Sequence, residues 1–378
     1  MLTEQLHRLA RLEPSRFPVI SLYLNARADE HGRDRFWPFV QRALHSRAKT
    51  FAPRSQERQS FENDIERIKR YLRTKVAPSA NSVAIFASSG EAGLFEAIQL
   101  TASVNRNQIY VEGQPNLFTL AWLQDRHRRY AAVIADSNRA RIFVFTLGEL
   151  AEVTGVRSDK LHRTQVGGWS QARYQRHVDK LRLDHAKEVA HELAKTVEQE
   201  NIVYIFLIGD DKVIPIIREE LPQCMLNKVV DVLRIDVAAS ERQVLEKTLE
   251  SMQARDAEED AQIVEQLVGE YRAGGLAVVG MGDTIAALAK GQVDRLLLSA
   301  SIDSIIENET LDEEVRDLAA GTLSPGGAGD PSGETRQERL AGLLVKKAEE
   351  TGVRVTFVEQ TDLMTGIGGV GAFLRYRA

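Results

Sequence analysis

Residues Gly167 to Arg176 read Gly-Gly-Trp-Ser-Gln-Ala-Arg-Tyr-Gln-Arg, a glycine pair that runs into a basic, helix-forming stretch. Two adjacent glycines let a backbone approach a ligand closely and take dihedrals closed to other residues. The amide of Gln171 can hold a water or a carbonyl in place without gaining or losing charge near neutral pH. Further along, Arg173, Arg176, His177 and Lys180 fall three or four residues apart, on one face of a helix where phosphates would be met. Trp169 offers a ring on which a base could stack. Each feature also has a plain structural reading. The glycine pair can be an ordinary turn, Trp169 an apolar anchor for the loop, Ser170 a helix cap, and the basic face a solvated one.

The order of these residues resembles the catalytic loop of the peptide release factors of archaea and eukaryotes. There a Gly-Gly-Gln is followed by Ser, two variable residues, Arg, an aromatic, one variable residue and Arg. Ser170, Arg173, Tyr174 and Arg176 match that spacing. Trp169 stands where those factors carry glutamine, and a glutamine follows two residues later, at Gln171. That shift is similar to the bacterial archaeo-eukaryotic release factor-like proteins grouped with Vms/Ankzf-type peptidyl-tRNA hydrolases. A second likeness lies downstream: Asp283-Thr284-Ile285-Ala286-Ala287-Leu288 followed by Gly291-Gln292-Val293-Asp294 resembles a helix and strand of release factors and Pelota. The closing Gly366 to Arg377 looks like their last strand. No stop-codon motif is evident: Asn-Ile-Lys-Ser is absent, and a Tyr-x-Cys-x-x-x-Phe pattern is impossible with the only cysteine at 224.

The resemblance implies a codon-independent rescue factor that hydrolyses peptidyl-tRNA on stalled ribosomes. Gln171 would position the attacking water, while Gly167 and Gly168 let the backbone reach the tRNA end. Trp169, Ser170, Arg173, Arg176, His177 and Lys180 would touch RNA. Preorganised oxyanion donors typically contribute about 10²–10³ each in rate. Some relatives in eukaryotic ribosome quality control cut the tRNA near its 3′ end, so ester hydrolysis and tRNA cleavage both stand open. The implied partners are the ribosome at its A site and peptidyl-transferase centre, peptidyl-tRNA, and a translational GTPase docking on the C-terminal unit; no cofactor is implied. The alternative is a hibernation factor that occupies the A site without catalysis.

These residues need a scaffold, and 378 residues exceed what one core usually organises. The expected fold is α/β in a three-domain, release-factor-like arrangement. Residues 1–125 form a mixed α/β domain, 126–265 a central domain bearing the glycine loop, and 266–378 an α/β/α domain. No stretch approaches the ~20 apolar residues of a membrane span. The start of the chain lacks a basic then apolar leader, and the lone Cys224 permits no disulfide framework, so a reduced, cytoplasmic setting is expected. Cys224 itself is expected to be a small buried side chain. The net charge is −5, but it is unevenly spread: Arg157 to Arg182 holds seven Lys/Arg against two Asp, and residues 266–378 hold eleven against seventeen Asp/Glu. One stretch suits phosphates, the other a protein.

Along the chain, strands are expected over 17–24, 82–87, 131–136, 140–145, 202–208, 276–279, 295–298, 353–358 and 372–376, with helices over 35–46, 61–76, 240–272, 283–289 and 337–351. The helix after the glycine loop should bury Val178, Leu181, Ala186, Val189, Leu193 and Val197. Other constellations are weaker. Gly366-x-Gly368-x-x-Gly371 precedes a strand instead of opening a helix, and the glycines of 326–333 lack a following Lys-Ser/Thr, which removes both phosphate-loop readings. Asp136, Asp210 and Asp211 sit at strand ends, where a cap is the commoner role than a metal site. His162, His177, His185 and His191 lack zinc-ligand spacing.

Overall fold

The computed structural model describes residues 2–27, 36–90, 93–100, 102–126, 128–146, 149–157, 171–305 and 335–377. It is a mixed α/β, multidomain protein with three sheets among the described residues, and the chain gathers into two compact units, residues 1–126 with 257–378, and residues 127–256.

The first sheet is antiparallel, in the order β3-β2-β1-β4, from Val19–Asn25 (β1), Ser82–Ser88 (β2), Leu94–Leu100 (β3) and Gln108–Glu112 (β4). Alternation divides β1 between two faces. Ile20, Leu22 and Leu24 join Val40 and Leu44 of Trp37–Ala48 (α2) and Phe61, Ile65, Ile68 and Leu72 of Gln56–Thr74 (α3) in one core. Ser21 and Tyr23 point the other way, towards the turn before Phe118–Arg126 (α4): Ser21 Oγ accepts from the Asn116 N–H at 2.9 Å, and the Tyr23 hydroxyl donates to the Asn116 carbonyl at 2.7 Å. Burial pushes the Tyr23 hydroxyl well above its usual pKa. Ser55 caps α3 through the Arg58 N–H.

In the C-terminal sheet the order is β10-β13-β11-β12, from Ala277–Val279 (β10), Val293–Ser299 (β11), Arg354–Val358 (β12) and Val370–Leu374 (β13). β11 and β12 run parallel, while β13 is antiparallel to β10 and β11. Leu297, Val358 and Ala277 pack with Val264 and Leu267, from the later half of the helix Glu241–Arg272 (α8), and with Met364 of Thr361–Thr365 (α11). Leu296 and Leu298, one residue either side of Leu297, are also fully buried and face the opposite side. Met281–Ala289 (α9) lies against β10 and β13, and Arg336–Glu350 (α10) against α9 and β12.

α10 also joins the two ends of the chain. It packs on Leu2–Ala10 (α1) and α4, and Gly342 permits the approach, since a Cβ there would lie 2.7 Å from Asn116 Nδ2. Asn116 Nδ2 donates to the Glu338 carbonyl at 3.2 Å. Lys346, 2% exposed, donates to Gln114 Oε1 at 2.6 Å and to the Leu12 carbonyl at 2.9 Å. Nearby, Asp260 accepts from Arg126 Nη2 at 3.1 Å and from the Glu359 N–H at 2.9 Å. Burial raises the Asp260 carboxyl above its usual pKa despite these donors.

The central unit carries the third sheet, in the order β7-β6-β5-β8-β9, from Tyr130–Ala135 (β5), Arg139–Thr146 (β6), Glu149–Arg157 (β7), Tyr204–Gly209 (β8) and Val229–Leu233 (β9). β5 and β6 form the expected hairpin, β7 extends it antiparallel, and β8 and β9 are parallel to β5. One face meets Gln171–Gln199 (α5) and Ile214–Glu220 (α6). The other stacks Tyr130, Phe143, Phe145 and Phe206 against Val244 and Met252, from the first half of α8. The Tyr130 hydroxyl lies 2.9 Å from Thr248 Oγ1, and burial pushes its pKa up to about 12. One expectation fails: Cys224 is exposed, because it lies on a one-turn helix, Gln223–Leu226 (α7), where Leu221 just before it takes the buried place.

Burial lowers the Lys346 pKa from 10.5. The unfolded chain then binds that proton more tightly than the folded one, so Lys346 adds stability as the pH rises through its lowered value towards 10.5. Urea denaturation of wild type and Lys346→Met at about pH 8 and about pH 10 should show the difference in stability moving in favour of the wild type at the higher pH. An unchanged difference would contradict the assignment.

Candidate functional site

The helix α5 carries the candidate site, and its own periodicity decides how it is held. Val178, Ala186, Val189, Leu193 and Val197 are buried, and the last four pack with Ala131, Val133, Ile142, Val144, Ile205 and Leu207 of the sheet. Leu181 is half-buried. This is the apolar stripe expected of a helix laid on a sheet. The opposite face of its first turns is open to solvent, where Arg176, His177 and Lys180 are all exposed. Gln175 Nε2 donates to Asp179 Oδ1 at 3.1 Å, one helical turn on, and Arg182 lies 3.5 Å from the same carboxylate. The basic side chains therefore stand on a solvent-facing surface of a helix seated on the sheet.

The helix begins at Gln171. Gly167, Gly168, Trp169 and Ser170 lie outside the described residues, as do the side chains of Gln171 and Arg173. In chain order these residues stand between β7, the edge strand of the central sheet, and α5. What the geometry brings together is Arg176, His177 and Lys180, within three turns of the start of α5 at Gln171.

The other acidic and imidazole groups do not converge. Asp136 Oδ1 accepts the N–H groups of Asn138 and Arg139, both at 2.7 Å, and so closes the β5–β6 turn. Asp210 Oδ1 accepts those of Lys212 and Val213 at 2.9 Å, ahead of α6. Asp211 reaches Arg234 at 3.4 Å on the surface. Among the described residues no three His, Cys, Asp or Glu gather as metal ligands. His162 lies outside the described residues, and His177 and His191 are exposed. His185 is 1% exposed and neither ring nitrogen makes a hydrogen bond among the described residues. The run at 366–371 leads into β13, and a Cβ at Gly369 (φ 77°) would sit 2.6 Å from the Ser304 carbonyl oxygen, so that glycine serves packing.

Residues 115–253 match the model of bacterial archaeo-eukaryotic release factor family 10, and residues 257–378 match that of eRF1 domain 3. Two separate stretches of the chain are thus each similar to a release-factor family model. No curated protein matches it. Similar solved structures include the archaeal translation termination factor aRF1, at 15% identity and a TM-score of 0.26 over 99% of this chain and 98% of that one. Pelota of Archaeoglobus fulgidus gives 12% identity and a TM-score of 0.33 over 100% of this chain and 93% of that one. Dom34 of S. cerevisiae gives 11% identity and a TM-score of 0.42 over 79% of this chain and 87% of that one.

Because α5 is held by its apolar stripe and not by its charges, the two can be separated. Leu193→Ala should cost about 3 kcal/mol in urea denaturation, within the range for buried leucines. Arg176→Ala with Lys180→Ala should stay within about 0.5 kcal/mol of wild type. Equal losses in the two variants would mean that the basic face is part of the packing.

Proposed function

We propose that this protein is a codon-independent factor that enters the ribosomal A site and hydrolyses peptidyl-tRNA at the peptidyl-transferase centre of stalled ribosomes. The observation that carries this reading is the match of residues 115–253 to a release-factor family model over a stretch that contains Gly167, Gly168 and Gln171, directly ahead of the exposed Arg176, His177 and Lys180. In this reading the basic face of α5 meets RNA phosphates. Gln171 holds the attacking water, and Gly167 and Gly168 give the backbone access to the ester. Trp169 and Ser170 contact the acceptor end, and Arg173 contacts RNA with Arg176, His177 and Lys180. Residues 1–125, 126–265 and 266–378 act as three functional domains that span the distance between the decoding and peptidyl-transferase sites. The C-terminal one, which matches eRF1 domain 3, is where a translational GTPase would dock. The Dom34 structure is described as that of a factor interacting with Hbs1, and an archaeal Pelota is described as ribosome-bound with ABCE1. A cytoplasmic location goes with this function.

One observation favours a second reading. Trp169 occupies the place of the release-factor glutamine, which suits a hibernation factor that fills the A site without cutting. The experiment that separates the two incubates the protein and its Gln171→Ala variant with ribosomes carrying labelled peptidyl-tRNA and resolves both the peptide and the tRNA 3′ end. Release by the wild type, slowed about 10²–10³-fold by the substitution, is expected. An intact 3′ end would identify ester hydrolysis and a shortened one tRNA cleavage. Tight binding by both proteins without release would leave the hibernation reading.

A further inference from the structure

The C-terminal sheet ends in a patch of rings and cations that the glycine pair and α5 do not use. Six large apolar side chains are exposed among the described residues, and three of them, Tyr271, Leu276 and Tyr376, gather at this one end. Hydrogen bonds bring them there from three parts of the chain. The Gly274 N–H donates to the Tyr271 carbonyl at 3.0 Å where α8 turns towards β10, and the Leu374 N–H of β13 donates to the Leu276 carbonyl at 2.9 Å. Beyond β13, the Arg375 N–H donates to the Gln292 carbonyl at 2.7 Å, and Arg377 Nη1 donates to the Gly274 carbonyl. The Tyr376 hydroxyl donates to the Lys290 carbonyl at 3.4 Å, in the turn after α9. The fold thus sets Tyr271-Arg272 beside Arg375-Tyr376-Arg377. Arg375 lies 3.6 Å from Asp294, whereas Arg272, Lys290 and Arg377 are exposed and pair with no carboxylate among the described residues. Residues 270–276, 290–294 and 374–377 hold four cations against two carboxylates, Glu270 and Asp294, while 266–378 as a whole holds eleven against seventeen. This end is therefore a cationic part of an acidic stretch.

We propose that this end of the C-terminal sheet binds single-stranded RNA. Exposed rings stack bases whatever their identity, and cations set between the rings meet the phosphates, so a surface that alternates the two suits a nucleotide chain. Tyr271 is 43% and Tyr376 51% exposed, which leaves ring surface open on both. Arg272 and Arg377 can each offer a phosphate two N–H groups, and Lys290 a point charge. An acidic peptide would take up the cations but brings no flat face to the rings. The choice of RNA over DNA rests on the proposed function, whereas the stacking and phosphate chemistry does not. The patch belongs to a different compact unit from α5, so it is a second RNA contact with residues of its own.

The test measures anisotropy of a fluorescein-labelled oligouridylate of about 12 nucleotides, within the usual footprint of a single-strand site. The full chain carries Arg176→Ala, His177→Ala and Lys180→Ala throughout, so that the basic face of α5 supplies no signal and a failure here leaves the proposed function untouched. Tyr271→Leu with Tyr376→Leu should weaken binding about 30-fold, the loss expected for two stacked bases. Tyr271→Phe with Tyr376→Phe keeps both rings and should stay within about threefold of the parent. Arg272→Ala with Lys290→Ala should flatten the salt dependence by roughly 1.4 in log–log slope, as for two lost phosphate contacts. All four positions are exposed, so the variants should keep the parent's thermal midpoint. The proposal is overturned if the leucine pair binds as tightly as the parent, or if the phenylalanine pair loses as much as the leucine pair. It is equally overturned if a polyglutamate peptide displaces the labelled strand at a lower concentration than unlabelled oligouridylate does.

Discussion

The seating of α5 on the central sheet is the constraint on which the candidate site depends. Ala186, Val189, Leu193 and Val197 give up their apolar surface to β5, β6 and β8, and that choice leaves Arg176, His177 and Lys180 no place but solvent. Burying such a stripe stabilises by roughly 1.5–3 kcal/mol for each large side chain, far more than the exposed charges could contribute by pairing. The helix that follows the glycine pair in the chain therefore has its rotation about its axis fixed by packing. An apolar seat thus sets the orientation of the helix, and the basic side chains of its first turns stay at the surface.

A different solution operates where the two ends of the chain meet. There the structure buries charge and satisfies it locally: Lys346 against Gln114 and the Leu12 carbonyl, Asp260 against Arg126 and the Glu359 N–H. Such contacts add little net stability beyond a well-packed apolar junction, because desolvation offsets the attraction. They do set register, since a shifted α10 would leave the ammonium without acceptors. Gly342 works in the same direction by letting α10 close on Asn116.

Much of this was legible in the sequence where periodicity was strong. The buried stripe of α5, the β5–β6 hairpin, the long α8 and the alternation of the C-terminal layers all follow from local patterns. The missed elements have weak patterns. β9 is interrupted by Asp231, β3 mixes Glu96 and Gln99 into an edge strand, and α1 and α4 are each nine residues long. The union of residues 1–126 with 257–378 was not legible at all, because Lys346 and Asp260 read as surface charges until partners more than a hundred residues away are known. Cys224 misled for a related reason: cysteine favours the interior on average, but a one-turn helix has too little face to bury every apolar residue. Of the site, the exposed basic face was foreseen, while the roles of Gln171 and Trp169 rest on the family likeness.

In the proposed function α5 stands at the peptidyl-transferase centre, a placement that a proximity probe reads out. With the only native cysteine removed as Cys224→Ser, Gln175→Cys places a single thiol on the exposed side of the first turns of α5, where an iron chelate can be attached. Bound to ribosomes with an empty A site, the tethered iron should cut large-subunit RNA at the peptidyl-transferase centre on addition of peroxide. Stable ribosome binding with cuts confined to other regions would contradict the account.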